Sequence, residues 1–239
     1  MAMTWRQGIR LLLLGAALLA AQPAPARAAP DPFEAVNRRI HGFNQGVQAR
    51  LLGPLVEIYH ATTTPEARRG LANALANLNE PVTAASGLAA GQAGLAWNAA
   101  TRFGINSTLG LGGVEDRAAA LGYPRRPFGV ADALCAWRVP SGPFLVLPLL
   151  GPSTLRDAGA QFATTAALAQ ALGPDIVLAW GTGDALVGYA GIHHALARLE
   201  AESLDAYAVL RSAYRQRRAA TCPQDRPAEA EDEEAAEPR

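Results

Sequence analysis

The hydrophobic pattern along this chain is helical almost throughout. In "DPFEAVNRRIHGFNQGVQARLLGP", Phe33, Val36, Ile40, Phe43, Val47 and Leu51 recur at steps of three and four, which predicts one apolar stripe. Asp31 reads as the N-cap, Pro32 as the first helical residue, and Gly53-Pro54 as the stop. "TTPEARRGLANALANLNEP" repeats this grammar: Thr64 caps, Pro65 starts, Leu71, Leu75 and Leu78 mark a face, and Pro81 ends it. The short apolar segment "VTAASGLAAG" follows. Leu95, Asn98, Arg102, Ile105 and Leu109 then line one side of a third helix, stopped by glycines. Residues 114–143 read as irregular. A further helix is expected after Ser153 or Thr154. One or two more lie between "GDALVGYAGIHHALARLE" and "DAYAVLRSAYRQRR", where Leu204, Tyr207, Leu210 and Tyr214 form a stripe. Two-residue hairpin signals are missing, and alternation of period two is scarce. The fold class is therefore all-α.

One segment does not fit. "GPFLVLPLLGPSTLRDAGA" gathers Phe144, Leu145, Val146, Leu147, Leu149 and Leu150 around Pro148. A proline inside the run argues against a central strand. Six large apolar residues are too few to span a bilayer. Taken alone, the segment reads as a buried loop, with an exposed apolar patch as the alternative.

Composition divides the 239 residues into three parts. Arg6 and Arg10, the apolar run Leu11–Ala21 and the Ala26-Arg27-Ala28 site make residues 1–28 a cleaved secretory signal peptide. "AQPAPARAAPDPFE" contains no cysteine, so the mature chain is expected to start near Ala29 without a lipid of its own. The body, 29–222, is long enough for one helical domain with a core. The tail, 223–239, carries seven acids against two arginines and no large apolar side chain, and is expected to be a disordered acidic segment. All 21 basic residues of the chain are arginines, and the formal net charge is zero. Nothing is basic enough for nucleic acid.

Candidate chemistry is sparse. The four histidines are His41, His60, His193 and His194, with no HExxH motif, and the adjacent His193 and His194 are expected to point to different sides of a helix. No serine sits in a nucleophile elbow. "TLGLGGVED" lacks the lysine of a phosphate loop and reads as a helix stop. Gly42/Gly46 and Gly87/Gly91 read as places of close helix packing. Asp184 interrupts an apolar window and reads as an N-cap that splits it, with a buried functional acid as the alternative. The two cysteines, Cys135 and Cys222, are candidates for a disulfide that spacing alone leaves open. No metal, cofactor or enzymatic activity is expected.

Several motifs occur in order: "DPFEAVNRRIHGFN", "LNEP", "RFGINSTLGLGGVEDRA", "SGPFLVLPLLGPSTLRDA" and "DAYAVLRSAYRQRR". Over roughly residues 31–218 this resembles the MlaA/VacJ family, the outer-membrane component of the system that maintains lipid asymmetry. The resemblance implies a ring- or doughnut-like helical protein with an amphipathic lipid channel, set in the periplasmic leaflet of the outer membrane beside a trimeric porin. It further implies removal of mislocalised phospholipid from the outer leaflet and its transfer to a periplasmic lipid-carrier protein. Phe43 and Asn44 match a segment that influences the channel's state in the family. With Phe144, Leu145, Val146, Leu147, Leu149 and Leu150 they are the candidates for channel lining or membrane contact. Family members are usually lipoproteins, so the missing acylated cysteine is a departure. A soluble periplasmic lipid-binding module is the alternative reading, and a helical lipid hydrolase a third, without a recognisable catalytic set.

Overall fold

Helix α1, Glu34–Val47, turns its asparagines inward. Asn37, His41 and Asn44 are buried on one face, while Phe33, Val36, Phe43 and Leu51 of the apolar stripe are exposed. The helix begins at Glu34 with Phe33 in the cap position and no side-chain cap, rather than at Pro32. Gly53-Pro54 does not stop it. A π-helical turn, Gln48–Leu52, carries the chain into α2, Gly53–Thr62, and the Gly53 N–H reaches back to the Gln48 carbonyl. Widening the turn relieves the clash and the missing hydrogen bond that Pro54 would bring to a regular helix.

The computed structural model describes residues 31–225, so the signal peptide and nearly all of the acidic tail lie outside the described residues. Helix α3, Pro65–Ala89, starts as expected, with the Thr64 hydroxyl accepting from the Ala67 N–H at 3.2 Å. It runs straight through Pro81. Packing against α4, Ala93–Thr108, overrides the local penalty. Gly87 makes the contact close, since a Cβ there would fall 2.7 Å from Leu95 Cδ2. Gly91 instead serves the turn between the two helices with φ +73°. Gly42 has nothing within 4 Å of such a Cβ and plays no packing role.

The seam between α3 and α4 is polar. Arg102 is bonded to Glu80 at 2.6 Å and to Asp116 at 3.1 Å, with both Arg102 and Glu80 side chains almost fully buried. Arg102 also donates to the Tyr123 carbonyl, and Asn106 bonds both Asp116 and the Ala118 N–H. Burial would raise the Asp116 carboxyl, yet the bonds from Arg102, Asn106 and the Ala119 N–H outweigh it and hold the pKa below the ordinary value. The region expected to be irregular contains two short helices, α5 (Arg117–Ala120) and α6 (Val130–Ala136).

Residues 144–154 form an antiparallel hairpin, which corrects the loop reading. Strands β1, Phe144–Leu147, and β2, Gly151–Thr154, pair in the register Phe144↔Thr154 to Leu147↔Gly151. Pro148 lies in the three-residue connection, not in a strand, where its fixed φ suits a turn. Phe144 and Val146 point into a core with Tyr207 and Tyr214; Leu145 and Leu147 alternate away from it. The Thr154 hydroxyl then accepts from the Asp157 N–H and opens α7, Leu155–Leu172.

Helix α8, Pro174–Glu202, is continuous, so Asp184 is a mid-helix residue rather than a cap. Among the described residues no helix is long and apolar enough to cross a membrane. Helix α9, Ala206–Thr221, is capped by Asp205, whose carboxylate accepts from the Ala208 N–H. A disulfide joins Cys222, at its end, to Cys135 on α6, with Cα atoms 6.0 Å apart and a separation of 87 in sequence. Beside it, Arg156 grips Asp225 with two nitrogens at 2.7 and 3.3 Å and also pairs with Asp157.

Candidate functional site

Two features stand apart from ordinary packing: the hairpin with its asparagine clamp, and a pair of adjoining cavities. The clamp rests on the spacing of Asn37 and Asn44, seven residues apart and so on one face of α1. Asn37 donates to the Phe144 carbonyl at 3.0 Å and accepts from the Val146 N–H at 2.9 Å. Asn44 donates to the Leu147 carbonyl at 3.0 Å and accepts from the Leu149 N–H at 2.8 Å. Two side-chain amides thus stand in for a third strand along the free edge of β1. They satisfy backbone groups that burial would otherwise leave unpaired.

The clamp fixes what the hairpin shows to the outside. Leu149 sits at the tip with φ +65°, a left-handed conformation that costs a leucine about 1–2 kcal/mol. It is 63% exposed and Leu150 is 49% exposed. Phe43, one residue before the clamp's Asn44, is exposed as well. Of the residues singled out in the sequence, Phe43, Leu149 and Leu150 therefore lie at the surface, and Leu145 and Leu147 are half-buried. Phe144 and Val146 are inside the core and have no surface to offer. Asn44 is a structural tie between helix and hairpin. Asn37, which does the same work one edge lower, was not singled out by the pattern; the signal for it is the shared face with Asn44.

Exposure of apolar groups extends well beyond the hairpin. Leu51, Leu55 and Ile58 continue the outward stripe of α1 onto α2, Trp97 and Phe162 are exposed on other helices, and Leu109 is exposed just past the end of α4. The inside, in contrast, holds Asn37, Asn77, Glu80, Asn98, Arg102, Asn106, Arg156 and Arg211 among mostly small apolar residues. Polar groups inside and large apolar groups outside invert the usual arrangement of a water-soluble domain.

The cavities, of about 410 and 430 Å³, share a wall made by Asn79, Val82, Gly129, Arg217 and Arg218. Helices α3 and α9 and the start of α6 supply that wall; α7 and α8 close the second cavity with Leu168, Val177 and Trp180. Arg218 is committed to Asp132 at 2.7 Å and Asp157 at 2.9 Å. Tyr214 donates to the same Asp157, and burial followed by that bond pushes its phenol well above the ordinary range. Arg125 and Arg217 are exposed at the edges, the latter 5.6 Å over the Tyr214 ring. Asp184 faces the second cavity, and burial raises its carboxyl pKa against the opposing pull of Arg125 and Asn79. Chemically the space offers guanidinium groups for an anion beside an apolar wall. The sequence pattern did not bring these residues together, because they come from five elements.

Comparison with known proteins places this architecture. A family model described as MlaA lipoprotein matches residues 29–221. The intermembrane phospholipid transport system lipoprotein MlaA of Shigella flexneri is 32% identical over 222 residues, covering 86% of this chain and 85% of its own length. The protein of that name in Escherichia coli K12 is 31% identical over the same span. A protein of Rickettsia felis is 34% identical over 135 residues, and there the chain spans about half (51%) of the relative's length. A solved structure, described as the structural basis for maintenance of bacterial outer membrane lipid asymmetry, superposes with a TM-score of 0.71 at 28% identity, covering 82% of this chain and 100% of that one. The order of motifs, the mainly helical fold and the match across nearly the whole described body lead to one conclusion: this chain belongs to the MlaA lipoprotein family.

Proposed function

We propose that this protein sits in the periplasmic leaflet of the outer membrane and passes phospholipid out of the outer leaflet, without catalysis, to a carrier in the periplasm. The observation that carries this reading is the inverted helix α1, whose buried face is Asn37, His41 and Asn44 and whose outward stripe of Val36 and Phe43 continues through Leu51, Leu55 and Ile58. Water penalises such a face, whereas acyl chains accept it. Each large side chain moved from water to an apolar surrounding contributes about 1.5–3 kcal/mol. The strained Leu149 supports the same reading: a costly backbone held by Asn44 keeps an apolar tip outward. Family membership supplies the substrate class, and the cavities supply a route of matching chemistry. Arg125 and Arg217 suit a phosphate headgroup, and Val82, Leu168, Val177 and Trp180 suit acyl chains.

A trimeric porin beside the protein and a soluble lipid carrier below it complete the proposal. The test replaces Phe43, Leu149 and Leu150 together by Ser, and separately Arg125 and Arg217 by Ala, in cells whose own copy is deleted. Deletion should raise outer-leaflet phospholipid and the native chain should restore it. The Ser variant should move from the membrane to the soluble fraction; the Arg variant should stay in the membrane but restore poorly. Unchanged outer-leaflet phospholipid on deletion overturns the transport reading. Native protein recovered wholly in the soluble fraction with bound lipid would identify a periplasmic lipid-binding module instead.

A further inference from the structure

Three of the chain's four histidines meet where α2 packs on α8, away from both cavities. The expectation that His193 and His194 diverge does not hold. Their ring centroids are 5.1 Å apart, and the His60 ring lies 6.1 Å from that of His194. Gly53 makes room for this, since a Cβ there would stand 3.3 Å from His193 Cε1. One turn further along α2, Glu57 Oε1 lies 3.6 Å from His193 Nε2.

That separation is informative. It is longer than a hydrogen bond. Two ligands at about 2.0–2.2 Å from a tetrahedral metal ion are about 3.3–3.6 Å apart across the tetrahedron's edge. One ligand atom each from Glu57, His193 and His194 lie within 4.8 Å of one another, a spread that small side-chain rotations close. The His193 ring is already aimed. Its Nδ1 is 2.9 Å from the Tyr189 hydroxyl, one turn earlier on α8, which leaves Nε2 facing Glu57. A metal-bound imidazole needs such an outer partner to take the proton on its other nitrogen.

We propose that Glu57, His193 and His194, with His60 or a water as fourth ligand, bind a borderline divalent transition-metal ion of the zinc type. Imidazole with one carboxylate selects this class over magnesium and calcium, which take oxygen ligands. The ion pins α2 to α8. Because α2 continues from α1 through the π-helical turn, it also steadies the helix that carries the outward apolar stripe. The inference is independent of the transport reading.

The experiment titrates the full chain, in detergent, with Zn²⁺ alone by calorimetry, with Co²⁺ as a spectroscopic stand-in. The expected result is one tight ion per chain, a tetrahedral Co²⁺ visible band and a raised Tm, none of them reversed by excess Mg²⁺. His193→Ala with His194→Ala should abolish the band, and Tyr189→Phe should weaken affinity about 10-fold through the ring's orientation. Glu57→Gln, at an exposed position, gives the same reading if the histidine variant fails to fold. Zn²⁺ binding that is unchanged in Glu57→Gln and the histidine variant, or absent from the native chain, overturns the proposal.

Discussion

At the residue scale the asparagines of α1 are the unexpected actors. Asn37 is 2% exposed and bonds the backbone of β1 twice. Replacing it by Ala strands a buried carbonyl and a buried N–H, which costs about 1–3 kcal/mol for each group left unpaired. Urea unfolding of Asn37→Ala in detergent should show a loss of at least about 2 kcal/mol, with the helical content of the native state preserved. A change below a few tenths would mean that the clamp is dispensable. The apolar stripe of α1 was legible from its spacing, but the side it faces was not. Periodicity reports that a helix has two faces; it is silent on which one is buried against the rest of the protein and which is exposed. Asn37 carries a cue only when read with Asn44, since an isolated asparagine on a helix is unremarkable.

Among the elements, the helix starts marked by Thr64 and Thr154 followed the sequence, whereas Asp31 and Asp184 are not the cap residues they were expected to be and the stops expected at Pro54 and Pro81 do not occur. Thr64 and Thr154 cap α3 and α7 through their hydroxyls, a strictly local interaction. Pro54 and Pro81 were absorbed, one by a π-helical turn and the other by packing of α3 on α4. Absorption of this kind depends on partners distant in sequence. The hairpin escaped notice for two reasons: Pro148 within the apolar run argued against a strand, and the asparagine edge that completes β1 comes from α1, 103–109 residues earlier in sequence. Arg102 ties the α3–α4 pair from inside. It fell, with Asn98, on a stripe marked by Leu95, Ile105 and Leu109, and that placement is the sequence sign that a charge is buried with a partner. Arg102→Met should destabilise the protein by about 3–5 kcal/mol, because Glu80 is left enclosed without its partner. Adding Glu80→Gln to Arg102→Met should recover part of that loss, a coupling that thermal unfolding of Arg102→Met, Glu80→Gln and the double variant reads directly.

For the whole molecule, charge sets how acid acts. Arg38 holds Asp205 with two bonds at 2.7 and 2.9 Å, and with the Ala208 N–H it lowers the Asp205 carboxyl to about 2. A carboxyl lowered on folding stabilises fully above its unfolded value of about 3.9, and that contribution disappears as pH falls toward 2. Both side chains are 42% exposed, so screening limits the pair to about 1 kcal/mol or less. Asp205→Asn keeps the helix cap and loses the charge, so its Tm should fall less steeply than the native protein's between about pH 4 and 2. Equal slopes would place the acid sensitivity elsewhere. The disulfide adds an order in time. Cys135 is synthesised 87 residues before Cys222, and α7, α8 and α9 lie between them. With two cysteines there is a single intramolecular pairing, so oxidation cannot scramble the chain within itself. The bond closes only after the last helix has been made. Each oxidised molecule thereby carries a covalent record that its chain was completed through Cys222 and that its middle and last thirds have found each other.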